Sequence, residues 1–244
     1  MAFEYNDIKV DGIKLSPSGL AKFFSMPSVW YRDNILGEKS FEGNTATFLG
    51  SIVHEMADSV ANNFIVSRED VEAFIDSITV EGVDKDVIRA NWYDMSHMLI
   101  NEYVNHNIPD LAEYQPKPVM VGDGIYLAGT LDGYYEHGVV LDYKTTSSKP
   151  KTDTIPWEYK TQLMSYAYML KQEGKFVDRL RIVWCVKATK TLPVRIFEVN
   201  HEITEQDWKD FEDVLTLIVE TLTLAKSNPE YIHLLFKSMS LQEK

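Results

Sequence analysis

The sequence predicts an α/β fold: a central mixed β-sheet flanked by helices, with a helical layer ahead of it in the chain. Three observations carry this. Two β-rich runs, Ile125–Tyr135 and Val139–Thr145, are joined by the short turn Glu136-His137-Gly138, as in a hairpin. A helical stretch over 157–172 then leads to another apolar run, Leu180–Lys187, the order of a strand, a crossover helix and a strand. Upstream, Phe48, Ile52, Met56 and Val60 recur at i+4 in Thr45–Asn63 and mark one face of a helix.

The elements follow in order. Residues 1–14 are a polar lead-in with one short strand. Ser16-Pro17-Ser18 offers an N-cap with proline at the first helical position, ahead of an apolar helix with Leu20, Phe23 and Phe24. Met26 to Phe41 reads as a loop anchored by Trp30 and Tyr31, with Arg32 and Lys39 as surface charge. Two further helices are expected over Arg68–Asp76 and Asp84–Asn105, the second turning Val87, Trp92, Met95, Leu99 and Tyr103 inward. Helices 16–105 are expected to wrap one side of the sheet.

Pro118 to Thr145 reads as an antiparallel meander whose first strand, Val119–Val121, ends in the turn Gly122-Asp123-Gly124. A loop, Thr146–Pro156, precedes the helix Trp157–Gln172. Leu180–Lys187 and Val194–Val199 complete the strands. Thr204–Ala225 is an amphipathic helix (Phe211, Leu215, Ile218, Leu222), and Thr204-Glu-Gln-Asp approximates a capping box at its start. Disorder is expected from Ser238 onward. The expected organisation is one domain over 1–244: a mainly helical part to 115, a core over 116–200, and C-terminal helices over 201–244.

A hydrophobic content of 45% suits an ordinary globular core, and no apolar run approaches the roughly 20 residues that span a membrane. The N-terminus lacks the basic and apolar regions of a signal peptide. The one cysteine, Cys185, lies in an apolar run and reads as a buried small hydrophobe. A cytoplasmic location, in a bacterium or a phage-infected host cell, is the expectation. The net charge of −13 speaks against nucleic acid as a bulk partner. Its distribution does not: residues 144–195 carry 11 Lys+Arg against 4 Asp+Glu, leaving 13 against 33 elsewhere.

The chemistry concentrates in the hairpin. Side chains at i and i+2 of a strand share a face, so Asp142 and Lys144 project together, and strand pairing brings Asp132 alongside. Two carboxylates and an ammonium suit a divalent cation and a phosphate. Mg²⁺ and Mn²⁺ prefer oxygen ligands, acidify water and offset charge on phosphoryl oxygens. A lysine beside them holds the attacking water or shares the developing charge. Taken alone, D-x-K is more often an ion pair on a solvated face.

Other short motifs accompany it in order. Ser16-Pro17-Ser18 with Met26-Pro27, Gly50-Ser51-Ile52-Val53-His54, Asp132, Asp142-Tyr143-Lys144, and Gln162 with Tyr166 together resemble the PD-(D/E)xK nuclease superfamily, in particular its RecB-type exonuclease branch. The resemblance implies a restriction-endonuclease-like core. It implies a metal, Mg²⁺ or Mn²⁺, on His54, Asp132, Asp142 and the Tyr143 carbonyl. Lys144 would position the attacking water, and Gln162 and Tyr166 would lie beside it. Without the resemblance, His54 reads as a structural residue on the flank of its helix. Glu55 and Glu113 are left open as further acids.

Ser147, Ser148, Lys149 and Lys151 are the expected phosphate grip, with Lys160 beyond them. The implied activity is metal-dependent hydrolysis of DNA from its ends, in recombination or repair, as in phage recombination exonucleases. The alternatives are a structure-selective endonuclease on flaps or branches and a catalytically silent DNA-binding module. The partners expected are DNA ends, single- or double-stranded, and a single-strand annealing or recombination protein is a candidate; an oligomer is compatible and a membrane is not expected. One departure stands out. Several relatives hold an iron–sulfur cluster, which needs about four thiolates. Here Met26 stands at the first cysteine position and Cys185 is alone, so one chain cannot hold a cluster, and Met26 is expected to pack where a ligand would sit.

Overall fold

The strands form two sheets in the computed structural model, which describes residues 3, 8–38, 42–150 and 153–228. In chain order the elements are β1 (Ile13–Leu15), α1 (Pro17–Ser25), α2 (Pro27–Tyr31), a π-helical turn Arg32–Leu36, α3 (Thr45–Ala61), α4 (Arg68–Ser77) and α5 (Lys85–Glu102). A 3₁₀ turn, Val104–His106, leads into β2 (Leu111–Tyr114), β3 (Val119–Gly122), β4 (Ile125–Leu127), β5 (Leu131–Tyr135) and β6 (Val139–Thr146). The chain then forms α6 (Trp157–Gln172), β7 (Arg179–Val186), β8 (Arg195–Glu202) and α7 (Glu205–Ser227). No helix among the described residues is long and apolar enough to cross a membrane.

The larger sheet has the order β2-β5-β6-β7-β8, and only β6 and β7 run parallel. That parallel pair is what α6 makes possible, because parallel neighbours need a long crossover between them. The pairing is in register from Val139↔Arg179 to Thr146↔Val186. The fold is thus the mixed α/β arrangement that the sequence predicts.

Three expectations about the strands and the stretch after Met26 are corrected. The run Ile125–Tyr135 is not one strand but two, β4 and β5, divided at residues 128–130 and assigned to different sheets. β3 and β4 join β1 in a separate three-stranded sheet, so the meander does not all belong to the centre, and the edge strand β2 takes its place there. A break at Gly129 has a packing reason: a Cβ there would stand 2.6 Å from Pro17 Cδ, so the missing side chain lets α1 approach β5. The stretch after Met26 is helical rather than loop-like as far as Leu36, with Trp30 fully buried as its anchor.

The helices also divide differently from the expectation. α1, α6 and α7 cover one face of the sheet, packing Leu20, Phe23, Leu163, Leu170, Phe211 and Ile218 against Ile182 and Trp184. α3, α4 and α5 cover the other, packing Ile52, Val53, Ile75, Trp92 and Leu99 against Leu141, Val183 and Cys185. The period of 3.6 defines which helices are amphipathic but not which face of a sheet receives them. In α3 the buried side is Leu49, Ile52, Val53 and Ala57, while Phe48, Met56 and Val60 are only half-buried. Met26 fills no gap: it is 50% exposed at the junction of α1 and α2.

α7 opens on a full capping box. Thr204 accepts from the Asp207 N–H, and Asp207 accepts from the Thr204 N–H and hydroxyl, both at 2.8 Å.

Candidate active site

The site is built on β5 and β6, held from one face by α6 and approached from the other by α3. Asp142 lies in the buried part of β6, 2% exposed, because Val139, Val140 and Leu141 carry the strand into the core before it. Such a carboxylate requires partners. Lys144, on the same strand face, places Nζ 2.9 Å from Asp142 Oδ1 and 2.7 Å from Oδ2. Gln162 of α6 donates Nε2 to Oδ1 at 2.9 Å. Burial pushes the Asp142 carboxyl up to about 6 even against the nearby ammonium. Burial works against the charged Lys144, yet Asp142 and Asp132 outweigh it and hold the amine above its ordinary range.

Asp132 of β5 accepts from the Tyr143 N–H at 2.6 Å, and its Oδ2 stands 3.4 Å from His54 Nδ1. Burial opposes its charge, but His54 and Lys144 more than offset that and keep its pKa below the ordinary value. The converse holds for His54. Burial disfavours the imidazolium, and the Asp132 carboxylate raises it above 6.5 regardless. Gly50 makes this meeting possible: a Cβ there would stand 3.0 Å from Thr145 Oγ1, so α3 approaches β6 closely one turn before His54.

The structure therefore brings together His54, Asp132, Asp142, Tyr143, Lys144 and Gln162. Tyr166 stands one turn beyond Gln162 and donates its hydroxyl to the Thr130 carbonyl at 2.5 Å, pinning the chain just before β5. Ser147, Ser148 and Lys149 are exposed in the loop after β6. Lys151 and Lys39 lie outside the described residues. Lys160 is placed differently from the expectation: it is in an ion pair with Asp207, which joins α6 to α7. A lysine so paired is a tie between helices before it is a phosphate contact.

Glu113, left open by the sequence, faces the same cleft, which is lined by His54, Asp58, Glu113, Asp132 and Tyr143. It sits opposite Asp132, since Ala112 pairs Gly133 and Tyr114 pairs Leu131 on either side. Its φ of 45° is left-handed, an uncommon conformation for a residue with a Cβ. Burial, then repulsion from Asp132 and Asp58, pushes its carboxyl up to about 8. Asp58 was missed, although its i+4 spacing from His54 places both on one face of α3. Burial raises it to about 6, and the charge of Glu55 adds to this.

Two aromatic residues were also missed. Lys144 Nζ lies 5.2 Å from the Tyr159 ring centroid, and that ring meets Trp184 edge-on at 5.4 Å. Trp184 is the register partner of Lys144 on the parallel strand, a relationship no local pattern reveals.

The donor types fit a hard divalent cation: two carboxylates, an imidazole and a backbone carbonyl. Asp142 Oδ2 is buried and, although close to Lys144, accepts no well-formed hydrogen bond. It is an acceptor with capacity to spare. Among the described residues no three His, Cys, Asp or Glu side chains form a cage, and the Lys144 ammonium stands 2.7 Å from Asp142 Oδ2.

The chain is similar to known proteins in sequence and in fold. A stretch of 146 residues, 56% of the chain, is 27% identical to an ATP-dependent helicase/nuclease subunit from Streptococcus suis; it spans 12% of that much longer protein. A solved structure from Eubacterium rectale, provisionally an exonuclease, is similar over 94% of this chain and 82% of its own, with a TM-score of 0.56 and 16% identity, a likeness of fold. Residues 14–231 match the PD-(D/E)XK nuclease superfamily, which takes in the whole site from Ser16 to Tyr166. With His54 and the D-x-K strand inside that match, the chain belongs to the PD-(D/E)XK nuclease superfamily.

Proposed function

We propose that this protein is a metal-dependent deoxyribonuclease that hydrolyses phosphodiester bonds from DNA ends, in recombination or repair. The observation that carries the reading is the convergence of His54, Asp132, Asp142, Lys144 and Gln162 in one connected cluster. Mg²⁺ or Mn²⁺, held by His54, Asp132, Asp142 and the Tyr143 carbonyl, would supply positive charge against the phosphoryl oxygens and acidify a water.

The chain's own residues do the rest. Gln162 fixes Asp142 Oδ1, so the carboxylate keeps its orientation when its other oxygen is engaged. The Lys144 ammonium, on the same strand face as Asp142, would hold the attacking water and share the charge on the phosphate. The Tyr159 ring, 5.2 Å from Nζ, helps to hold the ammonium within the site. Tyr166, through Thr130, fixes the entry to β5 and so the position of Asp132. A cytoplasmic location and a recombination partner belong to the same reading.

The test is digestion of end-labelled linear DNA and covalently closed circular DNA, each single- and double-stranded, with Mg²⁺, Mn²⁺ or EDTA. Linear DNA is expected to yield short products from its ends, the circle to survive, and EDTA or Asp142→Asn to stop the reaction. Rapid internal cutting of the closed duplex would replace the end-directed reading with an endonuclease. Persistent cleavage by folded Asp142→Asn would remove the assigned site.

A further inference from the structure

We propose that Lys149, Arg195 and Phe197 form a binding track for the phosphodiester backbone of the substrate strand, leading from Lys144 across β7 to β8. The inference rests on the nuclease reading above and adds the path by which the strand leaves the reacting centre.

Register places the track. Lys144 pairs with Trp184, and Trp184 pairs with Phe197, so the three side chains form a row across β6, β7 and β8 on the α6 face. At about 4.8 Å per strand, Phe197 lies roughly 10 Å across the sheet from Lys144. Arg195, two residues earlier on β8, shares that face. The loop after β6 then folds over the strand ends and brings Lys149 Nζ to 5.0 Å from the Phe197 centroid, while Arg195 Cζ stands 5.6 Å from it. Strand order puts this row on the opposite side of Lys144 from Asp132 and His54.

Several cations of the basic segment are already neutralised within the protein. In the basic segment, Lys160 pairs with Asp207, Arg179 with Glu202 and Arg181 with Glu198. Lys149 and Arg195, like Lys171, Lys175, Lys187 and Lys190, have no ion pair among the described residues; what sets these two apart is that they converge on one ring, Phe197. Arg195 Nε is, in addition, buried without a hydrogen-bond acceptor. A buried donor left unpaired is costly, and a charged one more so. Two successive phosphates, one at each cation, would balance both charges, and a shift of the Arg195 side chain toward its phosphate would pair the Nε donor. The aromatic ring is already engaged by the two cations, so it holds them in place rather than reading a base. The ligand class is therefore a phosphodiester backbone of any sequence.

The experiment is fluorescence anisotropy of a labelled single-stranded oligonucleotide in EDTA, where binding is measured without cleavage, over a series of KCl concentrations. Lys149→Gln with Arg195→Gln is expected to raise Kd at least tenfold at low salt. The slope of log Kd against log salt should fall by about 1.4, the value for two phosphates on a single strand. Phe197→Leu should raise Kd about threefold by removing the bed under both cations. Lys171→Gln, a neutralisation outside the track, should change Kd less than twofold. Melting curves verify the fold; should Arg195→Gln not fold, exposed Lys149→Gln alone is expected to lower the slope by about 0.7. Unchanged Kd and slope in the track variants, or an equal loss in Lys171→Gln, would overturn the proposal. Cleavage is measured separately with Mg²⁺ and Mn²⁺: selective loss of binding without any cleavage would reject the nuclease reading and retain the track.

Discussion

The Lys144 ammonium stands 2.7 Å from Asp142 Oδ2 and 2.9 Å from Oδ1, so the lysine of the D-x-K strand neutralises its own carboxylate. The pair is intramolecular, buried and adjacent to a second acid, Asp132, which also acts on the lysine. This gives the lysine two roles that mutation separates. Lys144→Ala should leave metal affinity equal to the parent's or higher, because a competing cation is gone. Turnover should fall by about 10²–10³-fold, the range for losing one group that stabilises transition-state charge. Mn²⁺ titration calorimetry without DNA, alongside single-turnover cleavage, measures both. A parallel loss of metal affinity would place the lysine elsewhere in the chemistry.

His54 meets Asp132 at 3.4 Å, and the carboxylate holds its pKa above the ordinary 6.5. A ligand imidazole must be neutral, so protons compete with metal as pH falls through that raised value. The parent's Mn²⁺ requirement should therefore climb on acidification. His54→Ala should need at least about tenfold more Mn²⁺ at neutral pH and show a flatter pH dependence. A variant with the parent's Mn²⁺ curve would reduce His54 to packing.

Gly50 and Thr145 make a testable contact between α3 and β6. A Cβ at position 50 would stand 3.0 Å from Thr145 Oγ1, so the neighbour has to give by a few tenths of an ångström. Gly50→Ala should displace the first turns of α3, and with them His54, and raise the Mn²⁺ requirement severalfold. Thr145→Ala in the same chain removes the opposing oxygen and should restore the parent's requirement. Additive losses in the double variant would place the cause outside this contact.

Asp207 links the cap of α7 to Lys160 and accepts from His201 Nε2 at 2.9 Å. Burial opposes its charge, but Lys160, Thr204 and His201 together hold its pKa far below the ordinary value. Stability from such a depressed group is complete above the unfolded value of about 3.9 and is lost as pH falls below it. Asp207→Ala should cost about 2 kcal/mol at pH 7, a cap plus part of an ion pair. The difference from the parent should narrow in denaturation curves recorded toward pH 3. A constant difference across that range would mean that lost packing, rather than charge, explains the cost.

What the sequence by itself determined was local. The two-residue period of a strand put Asp142 and Lys144 on one face, and the helical period put Gln162 and Tyr166 on another, one turn apart. The order of the short motifs was sufficient to name the superfamily, because each motif is a local pattern. Tertiary structure decided what depends on packing and on pairing between distant residues. Whether Ile125–Tyr135 was one strand or two depended on Pro17 reaching Gly129. Whether Lys160 faced phosphate or protein depended on Asp207, at the start of a helix whose position no local period specifies. The cleft that joins Glu113 and Asp58 to His54, and the row from Lys144 through Trp184 to Phe197, exist only because β2 pairs β5 and β6 runs parallel to β7. Register between distant strands is set by the burial of whole faces at once, so it emerges only when the core is assembled.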